Sequence, residues 1–416
     1  MTPDSAPSTV APSSRWKSAA ANAALVVSSL AVTYLILEVV FFRLMLPYLP
    51  LQYRVYLPDR ADFFLQISKS QYVPRDYIAL VGDSYAQGMG DWLLSLGYKS
   101  SKPYHSADVI HEKLRRDVAS LGRARSGSAE AMVLRVARIF NDPYCYLFPE
   151  IPAPKRFLVY FYEGNDIEDN YELLQHYVRP RASSPLAPQI EAFLEDQYAA
   201  TSGWRCHGHL GDTFWKMIQY HVRFGLHPDA TYNVGPVPPI NRIIVNGGAM
   251  NARELGGGSM ALSDKQIDDG VRVYDRSLAW FQRRFPGVPI TLVYIPSPGA
   301  IYRFDSDNVM SGEYYDPNDQ PRIGRPRLTP GRPFPASAIY AMSQKVCEKI
   351  RAASLAQGIA FIDTRPAFRK AAAHVPLHGP RDWGHPNEAG YRLLGSLIAS
   401  RINEPAADAC DDRWEQ

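Results

Sequence analysis

The sequence predicts an α/β protein: a three-layer α/β/α domain built on a central parallel sheet and preceded by one transmembrane helix. Three observations carry this reading. Short apolar runs at 77–81, 157–162, 290–295 and 359–362 end in turn residues and read as strands buried on both faces. Segments of helical character separate them, the alternation expected of a parallel sheet joined by right-handed crossovers. Ahead of them all, Ser18 to Leu37 carries no charged side chain.

Residues 1–18 open with a stretch dominated by Pro, Ser, Ala and Thr, too polar and too small to offset the entropy of folding. They are expected to form a disordered cytoplasmic tail. Residues 19–42 stay apolar through Val39, Val40, Phe41 and Phe42 despite Glu38. As a helix they reach roughly 36 Å, enough to cross a bilayer with some tilt. A buried core helix would seldom stay uncharged on every face for that length. A cleaved signal peptide would be shorter and followed by small residues, whereas Ala19-Ala20-Ala21 precede this run and Phe41, Phe42 and Leu44 follow it. Arg15 and Lys17 flank its amino-terminal side, so the positive-inside rule expects a cytoplasmic amino terminus and an extracytoplasmic domain, periplasmic if the cell is bacterial. Arg43, on the far side, runs against that rule.

Residues 43–76 read as a juxtamembrane segment, 77–405 as the main domain and 406–416 as a tail. The clearest helix starts at Ser263, has Gln266 as capping-box partner and sets Ile267, Val271, Tyr274, Leu278 and Phe281 on one stripe. Others are expected at Ser106 to Asp117, Ala129 to Phe140, Ala336 to Leu355 and Glu388 to Ile402. The alternation lapses over a span far longer than a usual connection, so an insertion is expected at about 170–262. Its Trp204, Phe214, Trp215, Tyr220 and Phe224 are expected to form a small satellite core in preference to stacking on sugar rings.

At 416 residues, 46% hydrophobic and 21% charged, the chain is long and apolar enough for a sizeable core. A net charge of +3 with no long Lys/Arg run argues against a nucleic-acid partner. Cys145, Cys206, Cys347 and Cys410 are too scattered for a zinc ribbon or a redox motif, and in an exported domain they can pair in any of three ways. Cys206-His207-Gly208-His209 fits no standard metal spacing and reads as a surface loop, and Arg322, Arg325, Arg327 and Arg332 read as a solvated one.

The chemistry begins at Gly82-Asp83-Ser84, where a serine directly follows a buried strand and opens a helix, with its hydroxyl at the sheet rim. Ala86 replaces the second glycine of a Gly-x-Ser-x-Gly elbow. Serine needs a base held in one tautomer by an acid. The segment from Arg381 to Asn387 offers both on one loop, with Asp382 three residues before His385, and Asn387 stands where it can cap the next helix. Acyl transfer also needs donors aimed at an oxyanion. Asn165, after the strand at 157–162, and the amides of Ser84 and of a glycine in Ser126-Gly127-Ser128 are the candidates.

Together these segments resemble the SGNH/GDSL hydrolase family, in which Ser, Gly, Asn and His head four separated blocks in this order. Gly82-Asp83-Ser84 matches the first block and Asp382-x-x-His385-Pro386-Asn387 the last, and the resemblance spans about Tyr77 to Ile402 with the insertion left over. It implies an SGNH-hydrolase-like, flavodoxin-like fold, with Ser84 as nucleophile, Ser84, Gly127 and Asn165 as the oxyanion hole, and Asp382 and His385 completing a triad. The third block usually reads Gly-x-Asn-Asp, whereas Gly164 here abuts Asn165, and Gly122 rivals Gly127 in the second. The implied activity is ester hydrolysis without metal or organic cofactor, on an O-acyl or O-acetyl group of an envelope glycan or lipid-linked sugar. Two alternatives remain open: an O-acyltransferase supplied by a multi-pass acyl-donor partner, and a non-catalytic binding or assembly protein of the same fold.

Overall fold

The computed structural model describes residues 13–49, 53, 56–57, 59–95, 103–124, 126–140, 149–178, 185–201, 209–224, 240–253, 255–311, 314–315, 328–329, 331–404, 407–412 and 414. Most of the amino-terminal tail, Cys145, Trp204, Cys206, His207, Gly208, Arg322, Arg325 and Arg327 lie outside the described residues, as do the side chains of Tyr220 and Phe224.

The chain begins with α1 (Ser13–Val40), a helix long and apolar enough to cross a membrane. Leu25, Val26, Val27, Leu30, Val32, Leu35, Ile36 and Leu37 are exposed on it. The surface changes at the next residue: Glu38, Phe41, Phe42 and Leu46 are all buried, the last three within the main hydrophobic core. The outer end of the expected 19–42 span is therefore part of the folded domain: the continuous exposed apolar run stops at Leu37, and beyond it only Leu44 and Met45 stand exposed among the apolar residues up to Leu46.

The domain proper runs through β1 (Tyr77–Val81), α2 (Ser84–Gln87), α3 (Ser106–Leu114), β2 (Asp117–Ser120), β3 (Arg156–Tyr162) and α4 (Asp166–Leu173). The insertion follows, with α5 (Leu186–Thr201), α6 (Leu210–Phe224), β4 (Asn241–Val245) and β5 (Gly248–Ala252). Then come α7 (Asp264–Arg284), β6 (Ile290–Ile295), α8 (Ala336–Ala356), β7 (Ala360–Asp363), α9 (Arg365–Ala372) and α10 (Glu388–Arg401). Five strands pair in the order β2-β1-β3-β6-β7, every pairing parallel. Numbered within the sheet this is the 2-1-3-4-5 order of doubly wound folds, whose topological switch lies between the first and third strands.

Side-chain alternation divides the sheet between two cores. Tyr77, Ala79 and Val81 of β1, Phe157, Val159 and Phe161 of β3, and Ile290, Leu292 and Tyr294 of β6 face one side, against Ile267, Tyr274, Leu278 and Phe281 of α7 and Val346 and Ile350 of α8. Ile78, Leu80, Leu158, Tyr160, Tyr162, Val293 and Ile295 face the other, against Ile110 of α3, Phe368 of α9, and Leu394 and Ile398 of α10. Both faces are covered, as near-continuous apolar strands require. The capping box at Ser263 and Gln266 is formed.

Two expectations need correction. The helix at 106 stops at Leu114, where Arg115 takes a left-handed φ of 54°, and Asp117–Ser120 is the edge strand β2. Asp-Val-Ala-Ser is too short and too polar to stand out as a strand by pattern alone. Of the insertion's named aromatics, the two whose side chains are described are not enclosed in a satellite core: Phe214 is 45% and Trp215 59% exposed, while Ile190, Phe193 and Leu194 of α5 join the main core. β4 and β5 form a hairpin across Asn246-Gly247, both at positive φ, as a two-residue turn of that type demands. Of the cysteines, Cys347 on α8 pairs with Cys410.

Candidate active site

β1 and β3 end side by side at the topological switch, where doubly wound sheets open a crevice. β1 delivers Ser84. Asp83 caps the turn that follows, its Oδ1 accepting from the Tyr85 amide at 2.9 Å, and Gly88 ends it in the left-handed region. α2 is thus a single turn of four residues. A helix that short develops little macrodipole, so its contribution to anion binding rests on individual amides.

The loop before α10 brings the candidate base. His385 Nε2 lies 3.0 Å from Ser84 Oγ, and His385 Nδ1 lies 2.7 Å from Asp382 Oδ2. With the ring proton on Nδ1, the imidazole donates to Asp382 and accepts from the serine hydroxyl, the arrangement a general base needs. Ser84 is 8% exposed, while the His385 and Asp382 side chains keep 22% and 13%. All three side chains therefore keep a narrow contact with solvent.

Several contacts hold this loop in place. Asn387 caps α10 by accepting from the Gly390 amide, and its Nδ2 donates to the carbonyls of Pro376, His378 and Gly379. The Tyr302 hydroxyl accepts from the amides of Leu377 and His378. From the nucleophile side, the Tyr85 hydroxyl donates to the Gly384 carbonyl at 2.9 Å, one residue from the base. Gly90 completes the fit: at φ +91°, a Cβ on it would lie 2.7 Å from His385 Cβ. None of Tyr85, Gly90 and Tyr302 stood out in the sequence. The local signal that could have found Gly90 is the pair Gly88-x-Gly90, both at positive φ just after the serine turn.

The electrostatics follow from burial and pairing. Burial pushes the Asp382 carboxyl up, but the charge and hydrogen bond of His385, with the Gly384 amide, pull it further down, and it ends below the usual carboxylate range. Burial pushes His385 down, yet Asp382 and Asp83 more than offset this and hold the imidazole above 6.5. Asp83 is pushed up to about 6, chiefly by burial. Its Oδ2 accepts from Ser84 Oγ at 3.2 Å, so it competes with His385 for the serine proton. Burial and, next, the charge of Asp382 push Asp91 up to about 6 as well.

Asn165 stands at the end of β3 as the first residue before α4, and its buried Oδ1 has no hydrogen-bond partner among the described residues. Two residues earlier, buried Glu163 fixes the same strand end, accepting from Ser297 Oγ at 2.7 Å, the Tyr294 hydroxyl at 2.9 Å and Ser343 Oγ at 2.6 Å. Tyr162 stacks on Tyr85 with ring centroids 4.0 Å apart, joining the ends of β3 and β1.

The two glycine candidates separate by what they touch. Gly122 presses on the backbone of α2, where a Cβ would lie 2.3 Å from the Gln87 nitrogen, and its amide donates to Ser120 Oγ. Gly127 lies against α4, where a Cβ would meet Asp169 Cβ at 2.6 Å. Gly122 therefore serves close packing under the nucleophile turn. Compared with models of protein families and with curated proteins, the chain matches none.

Proposed function

We propose that this protein is a membrane-anchored serine hydrolase of the SGNH/GDSL type, acting on an ester through an acyl-enzyme on Ser84. The observation that carries the reading is the Ser84–His385–Asp382 relay, with its 3.0 and 2.7 Å links at the mouth of the sheet's switch point. Ser84 Oγ attacks the ester carbonyl carbon while His385 Nε2 takes its proton, and Asp382 stabilises the imidazolium. The Ser84 and Gly127 amides and the Asn165 side-chain Nδ2 donate hydrogen bonds to the tetrahedral oxyanion. Collapse expels the alcohol, which leaves with the proton from His385. Water then repeats the sequence on the acyl-enzyme, releasing the acid and restoring Ser84.

We read the domain as extracytoplasmic, which the Cys347–Cys410 disulfide supports, since such bonds persist where the surroundings are oxidising. An exported ester hydrolase tied to a membrane is suited to O-acyl groups on envelope glycans or lipid-linked sugars, an argument from location and family analogy. The test is turnover of an aryl acetate by the full chain in detergent. The full chain is needed because Phe41, Phe42 and Leu46 belong to the core. Ser84→Ala and His385→Ala should each lose about three orders of magnitude or more, and Ser84 should take a fluorophosphonate label. Equal residual activity in all three proteins overturns the triad. Burst release that turns over only when a glycan acceptor is added would identify a transferase instead.

A further inference from the structure

Helix α6 offers a face that the domain does not cover. At about 3.6 residues per turn, Phe214, Trp215, Ile218 and Val222 fall on one stripe, and they are 45%, 59%, 51% and 82% exposed. Asp212 and Lys216, exposed and paired with each other, occupy the side facing water. Thr213 is buried, and Leu210 and Met217 are half-buried, marking the side that meets the protein. α6 thus has three distinct faces, one against the domain, one polar and one apolar that stays largely exposed among the described residues.

The start of α6 is tied to the end of the membrane-crossing helix. The Gly211 amide donates to the Tyr34 hydroxyl at 3.1 Å, and the His209 amide donates to Glu38 Oε1. Phe214 sets its ring 5.6 Å from that of Phe41. Gly211 lies on the same side of α6 as the apolar stripe, so the stripe continues the exposed surface of α1. The level also agrees. The uncharged run from Ser18 to Leu37 measures about 30 Å as a helix, the thickness of a hydrocarbon core. Its upper limit therefore falls between the two α1 residues, Tyr34 and Glu38, to which the start of α6 is bonded.

We infer that α6 is an interfacial helix, its Phe214, Trp215, Ile218 and Val222 stripe seated in the headgroup region of the bilayer that α1 crosses. A tryptophan within an apolar stripe, bounded by a lysine and an aspartate on the wet side, is the composition such helices use. This rests on α1 spanning a membrane and is independent of the esterase reading. The occupant is lipid, because the stripe extends a surface already facing lipid and begins at interfacial depth.

The test places a benzophenone amino acid, one position at a time, at Leu30, Lys216, Ile218 and Val222 of the full chain. Each protein is reconstituted in vesicles of phosphatidylcholine and phosphatidylglycerol, irradiated, and read by the mass of the labelled peptide. Lipid adducts at Leu30, Ile218 and Val222, several-fold above those at Lys216, are expected. Adducts at Leu30 with none above the Lys216 level at both stripe positions overturn the proposal, as does cross-linking of the stripe to a second copy of the chain. Absence of lipid adduct at Leu30 removes the spanning helix and the proposal with it. Two stripe positions guard against one substitution unfolding the helix, and fluorophosphonate labelling of Ser84 reads the hydrolase proposal separately.

Discussion

Substituting Gly90 with alanine tests the candidate triad through a residue that takes no part in the chemistry. An alanine at φ +91° costs about 1–2 kcal/mol in backbone strain. Its Cβ would also lie 2.7 Å from His385 Cβ, where carbon atoms normally stand about 3.5–4.0 Å apart, so one of them must retreat by roughly 1 Å. His385 has little room to do so, with Nδ1 held at 2.7 Å by Asp382 and Nε2 set 3.0 Å from Ser84. A displacement of that size at a reacting group costs on the order of a hundredfold in rate, or about 2.7 kcal/mol of barrier. Gly287 supplies the control: it has a φ of +78° and nothing within 4 Å of a built Cβ. Gly287→Ala therefore carries the backbone penalty without the contact. The assay is the second-order rate of fluorophosphonate labelling at Ser84, alongside thermal melting. Both variants should melt a few degrees low, and only Gly90→Ala should label about a hundredfold slower. Equal labelling rates for the two variants would refute the argument that Gly90 makes room for the base.

Three further outcomes follow from the site and its surroundings. Because His385 acts as a base only when neutral and is held above its ordinary 6.5, labelling should rise with pH through a midpoint above 6.5. Asp382→Asn should lower that midpoint and cut the rate by about 10⁴-fold, and a pH–rate profile of both proteins checks this. Asp83 has a folded-state value of about 6 against 3.8, so its contribution to stability is full below 3.8 and is lost as pH rises through 6, worth roughly 3 kcal/mol at most. Asp83→Asn should flatten that loss, seen as a smaller drop in melting temperature between pH 4 and pH 7 than the unsubstituted protein shows. Cys347→Ser opens a link spanning 63 residues and should cost about 4 kcal/mol on the chain-entropy estimate, measured by denaturant unfolding with and without reductant.

Much of the scaffold was legible because buried parallel strands are apolar on both faces: the runs at 77–81, 157–162, 290–295 and 359–362 fall within a residue of the strands Tyr77–Val81, Arg156–Tyr162, Ile290–Ile295 and Ala360–Asp363. β2 did not, since an edge strand of four residues needs little apolar surface and Asp117 and Ser120 are its ends. Ser84 was legible as a serine on a strand-end turn and Asp382 and His385 as a pair three residues apart on the loop before a helix, and the structure brings all three together. What surrounds them was not. Tyr85 reaches Gly384 across 299 residues of sequence and Glu163 collects hydroxyls from β6, its following turn and α8, pairings that only the folded sheet creates. The Asn246-Gly247 hairpin carried a local signal of its own, in the dipeptide such turns favour. The exposed stripe of α6 lay in plain view as helical spacing, but spacing alone cannot tell a face turned to a core from one turned to solvent.

The way α1 enters the domain bears on how any substrate meets the site. Phe41, Phe42 and Leu46 are packed into the same core as Phe63, Tyr77 and Phe157, and Phe63 lies edge-on to Tyr77 with ring centroids 5.6 Å apart. Tyr77 opens the strand whose far end delivers Ser84. The apolar helix α1 is thus coupled to Ser84 through packed side chains and one buried strand, with no linker between Leu37 and the core residues at Phe41 and Phe42. A linker would let the domain search a volume above the membrane. A packed junction instead fixes the height and tilt of the Ser84 crevice relative to the helix axis, and α6, held to Tyr34 and Glu38, adds a second point of reference at that junction. Such a mounting suits the proposed action on an ester held at a set distance from a bilayer, and under that proposal the depth of α6 and the reach of Ser84 are set by the same junction.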